Sequence, residues 1–192
     1  MIAVDESQPI RERGPAAETL AGRLGETTHR SVLRRRAAGL GLRDGWDLLA
    51  LAVRRGCRHY SGVGLARDVA DPGLTALPNE ELVVLLLAGG NAFEPFLIRA
   101  AAELLRAVPI DLSRLAGRAR RERCERVLAY LARAGVERDS EGTEFWRALL
   151  AQLSPQRTVP PGVLPHWSRF VALHGVGRDG RNLGSRWIGA VP

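Results

Sequence analysis

From Leu82 to Ala88 every residue is apolar, so no face of this stretch can be left in water whatever secondary structure it takes. Periodicity cannot separate a buried helix from a buried parallel strand over so short a run. Val83-Val84-Leu85-Leu86-Leu87 running into Gly89-Gly90-Asn91 even looks like a strand entering a phosphate loop. The flanks favour a helix. Pro78 suits a first helical turn, where its missing N–H has no partner to lose. Glu80 and Glu81 fall at the positive end of the helix dipole, and Gly89 and Gly90 can take the positive φ that ends a helix. Behind this run, Leu97, Ala101, Leu104, Leu105 and Val108 recur at helical spacing, with Arg99, Glu103 and Arg106 on the opposite face. Pro95 fits the first turn and Pro109 stops the run, while Arg99 and Glu103 form an i, i+4 pair. The two segments predict a helical hairpin over 78–108 that turns at 89–93. Burying Leu82 to Leu87 contributes roughly 10–15 kcal/mol gross, at about 1.5–3 kcal/mol per side chain, against chain entropy of similar size.

The rest of the chain supplies further helix signals. Ala16–Leu24 fits a short helix. Between Glu26 and Asp44 there is no acid, while Arg30, Arg34, Arg35, Arg36 and Arg43 accumulate over a stripe of Val32, Leu33, Ala37 and Leu40: a basic amphipathic helix. Asp44 is the expected N-cap of a helix through Arg55, with Trp46, Leu49, Ala50 and Val53 facing inward. After the hairpin, Asp111 or Ser113 caps a helix bearing Leu112, Leu115, Ala116 and Ala119. Its stripe then loses phase and resumes at Cys124, Val127, Leu128 and Leu131, so either Gly117 breaks it or one helix serves two packing partners. Thr143 caps a helix with Phe145, Trp146, Leu149, Leu150 and Leu153 inward. Pro155, Pro160 and Pro161 interrupt helix, and Pro165–Leu173 reads as a last short helix. The expected fold is therefore all-α, an irregular multi-helix domain built on the central hairpin. The segments share no fixed-period motif. Its expected organisation is a flexible N-terminus at 1–14, a helical core domain at 15–154, and a Pro/Gly-rich linker, short helix and basic tail at 155–192 packed on the core.

No uninterrupted apolar run approaches the ~20 residues of a membrane span. Asp5 and Glu6 stand where a secretion signal would be basic and then apolar, so a cytoplasmic location is expected. The formal charge of +7 points to anionic partners, but all 28 basic residues are arginine and none is lysine. That pattern suits a coding bias and shifts the question to where the arginines cluster. Two clusters qualify as anion or nucleic-acid contacts: Arg30, Arg34, Arg35 and Arg36, and Arg118, Arg120, Arg121 and Arg123.

Catalytic motifs are scarce. Cys57-Arg58-His59 lacks two further ligands at zinc spacing, and Cys57 and Cys124 make no disulfide framework. His29, His59, His166 and His174 are scattered. Gly175, Gly177 and Gly180 spell Gly-x-Gly-x-x-Gly, but a dinucleotide site needs a following helix and an acid about twenty residues on, and only twelve residues remain. The tail, with Arg178, Arg181 and Arg186, reads instead as a segment docked by Trp187 and Ile188. These observations imply no metal and no cofactor. They favour a non-enzymatic helical interaction module that binds another protein or itself. A nucleic-acid binder using helices 30–43 and 118–126 is the first alternative, and an enzyme with a dispersed site the second.

Overall fold

A computed structural model describes residues 31–61, 68–155, 159–160, 162–167, 172–176 and 182–187, all within the unit Ser31–Pro192. The expectations for 1–14 and for a helix at 16–24 lie outside them. The fold is all-α, with seven α-helices among the described residues: α1 Val32–Gly39, α2 Gly45–Arg54, α3 Asn79–Leu87, α4 Pro95–Ala107, α5 Leu112–Arg121, α6 Glu125–Arg138 and α7 Thr143–Gln152.

Every residue of α3 is buried, as expected of a helix apolar on all sides. Helices α1, α2, α4 and α5 pack around it. A 3₁₀ turn, Gly89–Phe93, carries the chain from α3 to α4, and Asn91 donates from its amide to Leu85 O at 2.8 Å, covering one of the free carbonyls at the end of α3. Helix α4 departs from its expected charged face at Glu103, which is only 2% exposed. Its carboxylate accepts the backbone N–H of Arg58 at 2.6 Å and of His59 at 3.1 Å, fixing the loop after α2.

Helix ends explain two more departures. In α1 and α2 the chain turns at Gly41 and Gly56, both with positive φ, and the next N–H reaches back to Ala37 O and Ala52 O. These are Schellman stops. Helix α5 ends the same way, with Cys124 N–H bonding to Ala119 O and Arg123 N–H to Arg120 O, but the left-handed residue is Arg123, at φ 57°. The break therefore falls at 122–124, so neither Gly117 nor one continuous helix accounts for the shift of stripe. The N-cap of α5 is Asp111, which accepts from Arg114 N–H. Thr143 opens α7 one residue after its cap, Gly142.

Three side-chain and element assignments change. Val32 points outward, 72% exposed, while Leu33 and Ala37 of α1 are buried. Trp46 also lies outward. Of the helix expected at 165–173, residues 168–171 lie outside the described positions, and Ala172 and Leu173 belong instead to β1, Ala172–Val176, which pairs antiparallel with β2, Asn182–Trp187. The register slips between His174 and Val176, where Gly175 tolerates the irregular backbone. Upstream, Tyr130 donates to Pro165 O at 3.2 Å and Arg138 lies 4.2 Å above the Trp167 ring, fastening residues 165–167 to α6.

Candidate interaction faces

The arginine clusters fold into ties between helices. Arg34 donates to Ala88 O at 2.5 Å, at the end of α3. Arg36 bonds the carboxylate of Glu81, and also Ala76 O at 2.7 Å. Arg118, from α5, pairs with the other oxygen of Glu81 at 2.8 Å. Glu81, only 1% exposed, thus brings together one member of each predicted cluster. Arg120 reaches Glu125 and Ser154, both at 3.2 Å. Arg35, Arg121 and Arg123 are exposed. Arg30 lies outside the described residues.

The same device recurs elsewhere. Asp139 accepts Arg106 Nε and Trp146 Nε1–H, both at 2.7 Å, joining α4, α6 and α7. Arg55 pairs with Asp71 at 2.7 Å, and that hydrogen bond holds the Asp71 carboxyl below its ordinary pKa. Burial pushes the Glu125 carboxyl up, but the Ser154 N–H and Arg120 outweigh it and leave the pKa lowered. Each buried carboxylate is met by cations or N–H groups because an unpaired buried charge is strongly unfavourable.

Several chemically capable side chains lie around Glu103. Its pKa is raised, chiefly by burial, against the opposing His59 and Arg58 N–H bonds. The Cys57 thiol donates to Ala100 O at 3.2 Å, and burial raises its pKa. Cys124 is likewise buried, its pKa pushed up to about 12. Both remain protonated thiols at neutral pH, the weakly nucleophilic form. Arg99 lies 3.4 Å from His59 Nε2 and 3.3 Å from Tyr60 Oη. Burial and Arg99 hold His59 below its ordinary pKa. Among the described residues no group of three or more His, Cys, Asp or Glu could hold a metal ion, and no helix is long and apolar enough to cross a membrane.

A second face lies where α2 and α4 begin. Gly45, first residue of α2, sits so close to α4 that a Cβ there would lie 2.9 Å from Leu97 Cδ1. This approach places Trp46 beside Phe96: the rings stack at 4.8 Å with 19° between their planes. Trp46 is nonetheless 47% exposed, and Phe93, one turn before Phe96, is 59% exposed. Two exposed carboxylates mark the same helix starts, Asp44 capping α2 and Glu94 preceding α4; exposed Arg43 adjoins Asp44. The amphipathic stripe of α2 misled the sequence reading because Trp46 is in its first turn, where α4 covers only one side. In the tail, Trp187 closes β2, whose backbone runs against α6, and Ile188 lies outside the described residues. Of the Gly-x-Gly-x-x-Gly, Gly175 is in β1, and the next described element is a strand. Searches of family models, curated proteins and solved structures give no match to this chain.

Proposed function

We propose that the chain is a helical module that binds another protein through the Trp46–Phe96 face. The observation that carries this reading is an indole stacked on a second ring and left about half in water. Large aromatics concentrate in the binding centres of protein interfaces because they bury much area at low entropic cost. The rim suggests the partner's chemistry: an apolar side chain to cover the indole, and an arginine or lysine to meet Asp44 and Glu94, with the cation able to share the ring face.

A photo-crosslinking amino acid placed at Phe93 in the full chain tests this. It is expected to capture a partner in native extract, with the adduct lost when Trp46→Ala is added. The same crosslinker at Arg147, exposed on α7, is expected to give none of that adduct. Equal capture from both positions, or capture indifferent to Trp46→Ala, would overturn the reading. An adduct of twice the chain mass would identify the partner as a second copy.

A further inference from the structure

We infer that the face shared by α1 and α5 binds the phosphate backbone of a nucleic acid, independently of the Trp46 face. The two arginine-rich stretches are far apart in sequence, yet Arg36 and Arg118 meet on Glu81. Both helices pack on α3, and the shared Glu81 brings one arginine of each to the same point. Glu81 carries one negative charge against two guanidiniums. Their side chains remain 42% and 34% exposed, so the junction keeps a net positive charge with donors open to water.

Around the junction the charge is nearly all of one sign. On α5, Arg114, Arg118 and Arg121 follow at i, i+4 and i+7, which places them along one stripe roughly 10 Å long at 1.5 Å per residue. Arg114 and Arg121 are exposed. On α1, exposed Arg35 adjoins Arg36, and α1 contains no acid. The nearest acids on α5 are at its two ends: exposed Asp111, and half-buried Glu122 beside Arg121. A row of guanidiniums suits phosphate oxygens, which accept two parallel N–H bonds from each. Val32 and Ala38 are the exposed apolar residues of α1 and neither carries a ring, so the α1 side offers less than the Trp46 face for an apolar protein surface to cover. That contrast with the Trp46 face favours a sugar–phosphate strand.

Fluorescence anisotropy with a labelled random 20-nucleotide DNA, single-stranded and duplex, provides the test. Three phosphate contacts predict an affinity loss between 50 and 200 mM salt of about 20-fold for the single strand and about 40-fold for the duplex. The variant Arg35→Gln/Arg114→Gln/Arg121→Gln leaves both Glu81 partners in place, so its melting temperature is expected to stay within about 2 °C of the parent. Its salt dependence should fall steeply, leaving only what the Arg36–Glu81–Arg118 junction contributes. Salt-independent binding, or an unchanged slope in a folded triple variant, would overturn the proposal. So would polyglutamate that displaces the DNA as well as unlabelled DNA of equal charge, since it would mark an acidic protein as the occupant.

Discussion

Glu81 is the residue on which the most depends. Its carboxylate is shared by two arginines from different helices, so losing one cation leaves the charge still paired. Arg36→Ala or Arg118→Ala alone should therefore cost about 1 kcal/mol, whereas the double variant strands a buried carboxylate and should cost about 3–5 kcal/mol. Urea unfolding of the four species of the cycle measures this, and additive losses would contradict it. In the sequence Glu81 was legible only as an acid at a helix start. Its partners lie on other helices, and nothing local to either pair marks them as neighbours. Glu103 was hidden for a related reason: an i, i+4 arginine suggests a solvent face, yet the loop at Arg58–His59 closes over it. Because its folded pKa lies above the ordinary 4.5, the native state binds more protons than the unfolded chain between those two values. Stability should fall as pH rises through that window and level off above it. Glu103→Gln should flatten that part of the profile, as read from melting temperature between about pH 4 and 7.

At the level of elements, helix identity was written into spacing, prolines and caps, which is why α2, α3, α4 and α7 could be located in advance. The stop of α5 could not, because the position that usually carries glycine carries Arg123. A left-handed arginine costs about 1 kcal/mol or more, and glycine would recover most of it, less its greater freedom in the unfolded chain. Arg123→Gly should raise stability by up to about 1 kcal/mol in denaturant titration. The reverse case is Gly135 on α6, where a Cβ would overlap the Trp146 indole of α7. Trp146 is fully buried and tied by Nε1–H to Asp139, so it has nowhere to retreat. Gly135→Ala should cost about 3 kcal/mol or more; a loss under 1 kcal/mol would show that the α6–α7 contact yields readily. The C-terminal hairpin escaped the sequence reading because its strands, Ala172–Val176 and Asn182–Trp187, are short and interrupted by Gly175 and Gly184, which weaken a strand pattern.

For the whole molecule, the arginine excess divides into two populations among the described residues. Part of it closes the structure, with guanidiniums from α1, α4 and α5 meeting carboxylates that the core would otherwise reject. Other arginines among the described residues, including Arg35, Arg114 and Arg121, face water, and composition alone could not divide these two populations. The aromatic face was equally invisible beforehand, because a tryptophan in an amphipathic register is normally assigned inward. The stacking of its rings follows from how closely Gly45 lets α2 approach α4, a property of the assembled helices.

The two thiols sealed between helices have a practical consequence. Cys57 and Cys124 are each 1% exposed, on separate parts of the bundle, so a reagent such as a maleimide can reach them only when the chain opens. Labelling rates followed by mass spectrometry would then act as two internal clocks. Equal rates would mean that the bundle comes apart in a single event, and unequal ones would reveal which end loosens first.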